Sequence, residues 1–363
     1  MSQPAPAKIG QRLEEVDTPA LILDLPAFEK NQKTLFDLVK GRVRVRPHAK
    51  THKCPEVGRR QVALGAVGMC CQKVAEAEAM VEGGIGDVLV SNEIVGAQKL
   101  ERLAALSRRA KIGVCVDNSE NLEAIAATGA QLDIYIEIDV GMRRCGVAPG
   151  EPAVNLAKQI LGFKNLRFAG LQAYHGRAQH IRSMEERHAV IEVAAQHVQH
   201  TKRLLAEADI ACPIVTGAGS GTFMLEVEAG AWNEIQCGSY AFMDVDYAKN
   251  EWAAPLPRFK HALFVLTTVM SRPPHAAIVD AGLKASSVDS GMPGVWQRAG
   301  LAYTHASDEH GWVEGRDLPR LGEKLLLVPG HCDPTINLYD WYVVVKDGFV
   351  VDLWPITARG AVY

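Results

Sequence analysis

The feature that most narrows what this chain can fold into is a rhythm. Strand-like apolar runs at 18–24, 43–46, 66–70, 87–91, 111–116, 132–138, 166–174 and 214–216 alternate with segments of helical periodicity at 25–39, 55–64, 73–82, 93–109, 119–128, 151–161 and 184–207. Strands and helices in alternation, at these spacings, build parallel βαβ units. About eight repeats is the count for a closed (β/α)8 barrel, with a doubly wound open sheet as the lesser alternative.

From residue 258 onward the texture changes. Short β-rich runs at 262–270, 276–279, 324–328, 342–345 and 350–354 are separated by Gly, Pro and Asp turns such as Asp347-Gly348, the pattern of an antiparallel sheet. The expected organisation is a barrel over 18–250, with a β domain made of 1–17 and 251–363 packed tightly against it. A net charge of −3 gives no electrostatic reason to expect nucleic acid or an acidic membrane as a partner. The sequence has no run of about 20 apolar residues, and Met1 to Pro6 lacks the basic-then-apolar order of a signal peptide, which points to the cytoplasm. Eight cysteines without a Cys-x-x-Cys spacing form neither a disulfide framework nor a zinc finger, so core thiols are expected.

In a barrel of this kind reactive groups sit at the C-terminal ends of strands, and nearly every polar cluster of the first 250 residues falls there. The run Arg46-Pro47-His48-Ala49-Lys50-Thr51-His52-Lys53 follows the 43–46 strand. Lys50 at a buried strand end can be desolvated, lose its proton and attack an aldehyde to form a Schiff base; read alone, the same run is more readily a solvated basic surface. His48 and His52 beside it are expected to hydrogen-bond the loop backbone. The loop Thr216-Gly217-Ala218-Gly219-Ser220-Gly221-Thr222 offers amides and hydroxyls that cradle a phosphate, or it is a plain turn, and Gly238-Ser239-Tyr240 follows on the next barrel segment. In the β domain, His331-Cys332-Asp333 puts an imidazole and a carboxylate two residues apart. On an extended segment both face one side and can share a divalent ion while Cys332 points away, although such a pair also forms local hydrogen bonds.

Taken together, Arg46 to Lys53, Asp139 to Gly146, Gln172-Ala173-Tyr174-His175-Gly176, Gly238 to Asp244 and His331-x-Asp333-Pro334-Thr335 resemble the D-threonine aldolase family over about residues 17–359. The resemblance implies an alanine-racemase-like fold, with a pyridoxal 5′-phosphate (PLP) barrel, a C-terminal β domain and a homodimer whose active site lies at the subunit interface. It implies that Lys50 carries the PLP, with Arg144 beside the ring and Tyr174 near the pyridine. Thr216, Gly217, Gly219, Ser220, Gly221, Gly238, Ser239 and Tyr240 are then candidates for holding the phosphate. His331 and Asp333 become the ligands of a divalent metal, with magnesium or manganese expected, and His180 a base near it. The reaction implied is retro-aldol cleavage of a small D-3-hydroxy amino acid to glycine and an aldehyde.

Dehydratases of the wider family typically carry His-x-Cys where this chain has His331-x-Asp333, so the carboxylate favours the aldolase. Racemases of this fold use a β-domain tyrosine for which no counterpart is found, and a PLP carrier built on the barrel alone has no use for the metal pair. Gln72, Arg143 and Arg177 lie on strand-end loops and are candidate substrate contacts. A guanidinium grips a carboxylate bidentately, which makes 3-hydroxy-D-aspartate, releasing glyoxylate, the expected substrate if one arginine faces it; a solvated arginine or a pair with Glu185 or Glu186 is the alternative. Asp308-Glu309-His310 resembles a segment reaching the partner subunit's site, and Lys284 is a second lysine near a strand end.

Overall fold

A computed structural model of the chain describes residues 4–252 and 256–363. The first three residues of the 1–17 segment and residues 253–255 of the 251–363 segment lie outside the described residues. In chain order the first nine strands are β1 (Ala20–Asp24), β2 (Arg44–Val45), β3 (Met69–Cys71), β4 (Asp87–Glu93), β5 (Lys111–Val116), β6 (Leu132–Glu137), β7 (Leu166–Ala173), β8 (Ile214–Gly217) and β9 (Glu234–Ile235). Eight of them form one parallel sheet in the order β2-β9-β8-β7-β6-β5-β4-β3. The sheet closes on itself where Val67 N donates to Val45 O (2.9 Å) and Cys70 N to Pro47 O (2.8 Å). Its outer face is covered by the helices between strands, which bury a continuous layer of Val, Ile, Leu and Ala.

Inside the barrel sit Cys70, Leu89, Cys115, Tyr135 and Ala169. Arg46, from the basic run, joins this interior and is almost wholly buried, with Glu234 at 2.9 Å and Asp87 at 2.6 Å. An arginine so placed is held as a cation by two carboxylates and serves the barrel, not the solvent.

The run at 18–24 is a strand, but not a barrel strand. β1 pairs antiparallel with β10 (Leu263–Ser271) and parallel with β16 (Trp341–Lys346). The segment therefore lies with the C-terminal sheet, and the chain enters the barrel only through helix Leu25–Val39, which Asp24 caps by accepting from Ala27 N at 2.9 Å. The eighth barrel strand is instead β9, whose two residues are too few to show any period. Periodicity reports that a run is buried and extended; it does not report which sheet a remote partner draws it into.

The remaining strands are β11 (Ala276–Val279), β12 (Gly294–Val295), β13 (Leu301–Ala306), β14 (Gly311–Gly315), β15 (Lys324–Val328) and β17 (Phe349–Pro355). Their sheet runs β13-β14-β11-β10-β1-β16-β17, with β15 on β10 and β12 on β15. Of these, β12, β13 and β14 lay in stretches with no strand expectation. Phe28 and Phe242 stack at 5.9 Å between ring centres, Phe242 and Tyr342 at 5.8 Å, and the Tyr342 hydroxyl donates to His52 O at 2.7 Å, so barrel and sheet share one core beneath Lys50. No helix among the described residues is long and apolar enough to cross a membrane.

Candidate active site

After β2 the chain turns at Pro47 into the one-turn helix Ala49–His52, capped by His48. His48 Nδ1 accepts from Lys50 N at 3.3 Å while its Nε2 meets Ser91 Oγ at 3.2 Å. His52 Nδ1 accepts from Cys54 N at 3.1 Å. Burial pushes His48 well below its ordinary range, and His52 down to about 3, so both rings stay neutral and act as acceptors for the loop backbone. The turn stops at Lys53, in the left-handed region at φ 52°, whose ammonium is buried 2.6 Å from Glu76.

Lys50 is thereby held on a short helix with its ammonium against the Asp333 carboxylate of the β domain. Burial opposes charge on both groups, but each outweighs that for the other: Lys50 is raised above its ordinary value, and Asp333, facing Lys50 and His331, falls well below the carboxylate range. The neutral amine expected from burial is therefore not favoured in this arrangement: burial works against the proton, and the Asp333 carboxylate beside it outweighs burial.

A cavity of about 410 Å³ opens at the C-terminal ends of the barrel strands, with Lys50 on its wall. Gln72, Arg144, Tyr174, Arg177, His180, Gly219, Ser220, Gly238 and Ser239 also line it. Gln72 donates to Ser91 O at 3.3 Å. The Arg144 guanidinium lies 6.0 Å from the Tyr174 ring centre and 3.7 Å from Glu137, whose carboxyl burial and the Glu93 charge push up to about 8. Arg177 is exposed at the cavity and makes no ion pair with Glu185 or Glu186. Arg143 is not on the wall: it sits at φ 56° in the preceding turn, its amide bound to Asp139 Oδ1 at 2.9 Å.

The glycine-rich loop divides in the same way. No hydrogen bond among the described residues uses the amides of Gly219, Ser220 or Ser239, three buried groups on the cavity wall. Buried amides need acceptors, and a phosphate supplies them. A Cβ on Gly219 would meet Gln179 Oε1 at 2.4 Å and one on Gly238 would meet Thr51 Oγ1 at 2.4 Å, so these two positions hold the cradle closed. Thr216, Gly217, Gly221 and Tyr240 are not on the wall. Thr216 Oγ1 accepts from Gln236 Nε2 at 2.9 Å, and Gly221 N donates to Gln179 Oε1 at 2.9 Å. The Tyr240 hydroxyl donates to Gln32 Oε1 at 2.5 Å, away from the cavity, while its amide uses Ser220 Oγ.

His331 and Asp333 do not share a face of an extended segment. His331 is the residue before the short helix Cys332–Ile336, and Asp333 lies in its first turn. The turn still brings them together, with His331 Nε2 3.9 Å from Asp333 Oδ1. That oxygen is buried without a hydrogen-bond partner. His331 Nδ1 lies 2.9 Å from Asp289 Oδ2, which leaves Nε2 as the free donor atom. An imidazole nitrogen and an orphaned carboxylate oxygen at this separation suit a divalent ion completed by water. Cys332 is buried and directed at Met243 O. The pair stands behind the cavity wall and meets it through the Lys50–Asp333 contact.

Several groups beside the site carried no sequence signal of their own. His180 Nδ1 lies 2.6 Å from Asp246 Oδ2, and Arg182 holds the other oxygen. Burial opposes ionisation of Asp246, yet its hydrogen bonds to Arg182 and His180 keep it below the ordinary carboxylate value. Neither Asp246 nor Arg182 was among the residues singled out from the sequence. Glu93, Asp117 and Cys145 also bring ligand-type atoms within 4.8 Å of one another, and Asp117 accepts from Gly146 N at 3.1 Å. Lys284 pairs with Glu309 at 2.6 Å on the surface, between the loops before β12 and after β13.

The chain matches two family models, the N-terminal domain of alanine racemase over residues 23–246 and a putative serine dehydratase domain over 262–345. A D-threonine aldolase of Arthrobacter sp. is 50% identical, covering 98% of this chain and 96% of its own. A 3-hydroxy-D-aspartate aldolase of Paracoccus denitrificans is 46% identical over 99% and 96% of the two chains. Among solved structures, a D-threonine aldolase from Filomicrobium marinum superposes with TM-score 0.97 at 50% identity, covering 99% and 100%. A D-threo-3-hydroxyaspartate dehydratase from Delftia sp. is more distant, with TM-score 0.85 and 27% identity over 95% and 98%.

Proposed function

The chain belongs to the alanine-racemase-fold family of D-threonine and 3-hydroxy-D-aspartate aldolases, and on that premise we propose that it is a PLP- and divalent-metal-dependent aldolase cleaving D-3-hydroxy amino acids to glycine and an aldehyde. The observation that carries this is that Lys50 shares one cavity with three buried amides that have no partner among the described residues, and meets Asp333 of the His331/Asp333 pair. We read the barrel as the PLP domain, the C-terminal sheet with β1 as the metal-bearing domain, and the protein as a homodimer with the active site at the subunit interface.

Lys50 would hold PLP through its amine, with the Gly219, Ser220 and Ser239 amides on its phosphate and Arg144 and Tyr174 along its ring. His331 and Asp333 would hold the metal, for which their hard N and O donors suit magnesium or manganese. When bound, PLP supplies a sink for the electrons of the breaking Cα–Cβ bond and the metal supplies Lewis acidity at the β-oxygen. The residues do the rest. His180 lines the cavity with its Nδ1 engaged by Asp246, and its Nε2 accepts the β-hydroxyl proton. Arg177, which has no ion pair among the described residues, is placed to receive the carboxylate of a 3-hydroxy-D-aspartate side chain. The buried Cys332 leaves Asp333 as the partner of His331, in keeping with an aldolase over a dehydratase.

The test is a product assay on purified protein with PLP and Mn²⁺, offering D-threonine and both 3-hydroxy-D-aspartate diastereomers. Glycine with acetaldehyde or glyoxylate is expected, absent in Lys50→Ala. Ammonia with a 2-oxo acid would make the protein a dehydratase and refute the reading of Asp333.

A further inference from the structure

We propose that Asp246 is a positioning residue of this reaction: it fixes the ring of His180 with Nδ1 protonated and Nε2 free at the cavity, and holds that nitrogen in register with the His331/Asp333 pair. The inference rests on the aldolase reading and adds to it a residue that neither lines the cavity nor touches substrate.

His180 ends the turn Gly176–His180, and 48% of its side chain is exposed. An exposed imidazole flips between two orientations and two tautomers, and only one combination puts a lone pair at the substrate. The contact that decides between them is the 2.6 Å approach of Nδ1 to Asp246 Oδ2. Asp246 is 5% exposed and cannot swing away, because Arg182 occupies its other oxygen. Arg182 is anchored in turn, donating to Asp246 O and to Asn250 Oδ1, both at 2.7 Å. The carboxylate is therefore a fixed acceptor with one oxygen left for His180.

The turn that carries Asp246 is also bonded to the loop that carries the metal pair. Val245 N donates to Pro329 O at 3.0 Å, Asp246 N to Gly330 O at 3.2 Å, and Cys332 N to Asp244 Oδ2 at 3.0 Å. One short segment thus ties the barrel loop of His180 to the β-domain loop of His331. When the β-hydroxyl gives its proton to Nε2, the imidazolium that forms faces a carboxylate already in place, and Asp246 itself takes no proton. His331 is held by the same device, its Nδ1 against Asp289.

The test uses the full chain loaded with PLP and Mn²⁺. In Asp246→Asn, kcat for D-3-hydroxy amino acid cleavage should fall on the order of 10- to 100-fold, by analogy with other carboxylate–histidine supports, while KM changes little. In a His180→Gln background the same substitution should cause no further loss; independent, multiplying losses would refute a shared role. Histidine-selective ¹⁵N spectra, taken on protein loaded with diamagnetic Mg²⁺ in place of Mn²⁺, should show His180 as the Nδ1-protonated tautomer in the wild type and not in Asp246→Asn, and an unchanged tautomer would overturn the proposal. Asp246→Glu keeps the charge opposite Arg182 but displaces the ring. It should lose kcat while retaining PLP absorbance and melting temperature, and full activity would refute positioning. A wild type that cleaves none of the substrates, with His180 in the expected tautomer, would sink the aldolase reading and leave the ring assignment standing.

Discussion

Glu226 offers the sharpest test of how the loop beneath the cavity is built. It lies in the first turn of helix Phe223–Ala229, immediately after the glycine-rich loop, and is 1% exposed. One oxygen accepts from Thr222 Oγ1 at 2.7 Å, and the other is buried without a partner. Burial outweighs the Thr222 hydrogen bond and pushes the carboxyl from an ordinary 4.5 up to about 7. Below the lower value the group is protonated both folded and unfolded and contributes nothing to pH dependence. As pH rises the unfolded chain releases the proton first, so stability declines until the folded carboxyl also ionises near 7, and is level above that. At about 1.36 kcal/mol per pKa unit the loss amounts to roughly 3 kcal/mol. Glu226→Gln keeps the shape and the Thr222 contact but does not titrate. With about 2.1 cal/mol/K of unfolding entropy per residue over 363 residues, the variant should gain about 4 °C in Tm on the wild type between pH 4.5 and pH 8. Calorimetry of both proteins at one concentration and scan rate reads the difference directly. A gap that is constant with pH would refute the argument, and one that widens toward acid would reverse its sign.

Arg177→Ala should lower kcat/KM for 3-hydroxy-D-aspartate on the order of 10- to 100-fold relative to D-threonine, since a hydrogen-bonded charge pair is lost for one substrate only. Equal losses would remove Arg177 from substrate recognition, and Arg143→Ala, off the cavity wall, is the comparison. Asp289→Asn should weaken Mn²⁺ binding about 10- to 100-fold through loss of the charged His331 Nδ1 contact, measured by electron paramagnetic resonance titration; unchanged affinity would show that Asp289 does not tune His331 as a ligand. Because Lys50 holds Asp333 when no cofactor occupies its amine, Mn²⁺ should bind PLP-free wild type about 10-fold or more weakly than PLP-free Lys50→Ala. Equal titration curves would show that the two cations do not compete.

What the sequence displayed was local. Strand ends with their polar clusters, the lysine after Pro47, the glycines of the 216–222 loop and the His331-x-Asp333 spacing are all readable within a few residues, and the cavity gathers most of them. What it hid was pairing across the chain. The run at 18–24 looked like a barrel strand because burial and extension are all that periodicity encodes; its partners β10 and β16 lie more than 200 residues away. Lys50 looked like a neutral amine because desolvation was visible and Asp333, 283 residues on, was not. The two histidines make the point most clearly. Each needs one ring nitrogen engaged so that the other is defined, and nothing in either motif says by what. The chain meets the need for His331 with Asp289, 42 residues upstream, and for His180 with Asp246, 66 residues downstream. A motif names the atom that does chemistry; the remote carboxylate decides which atom of that side chain it is, and only the fold brings the two together.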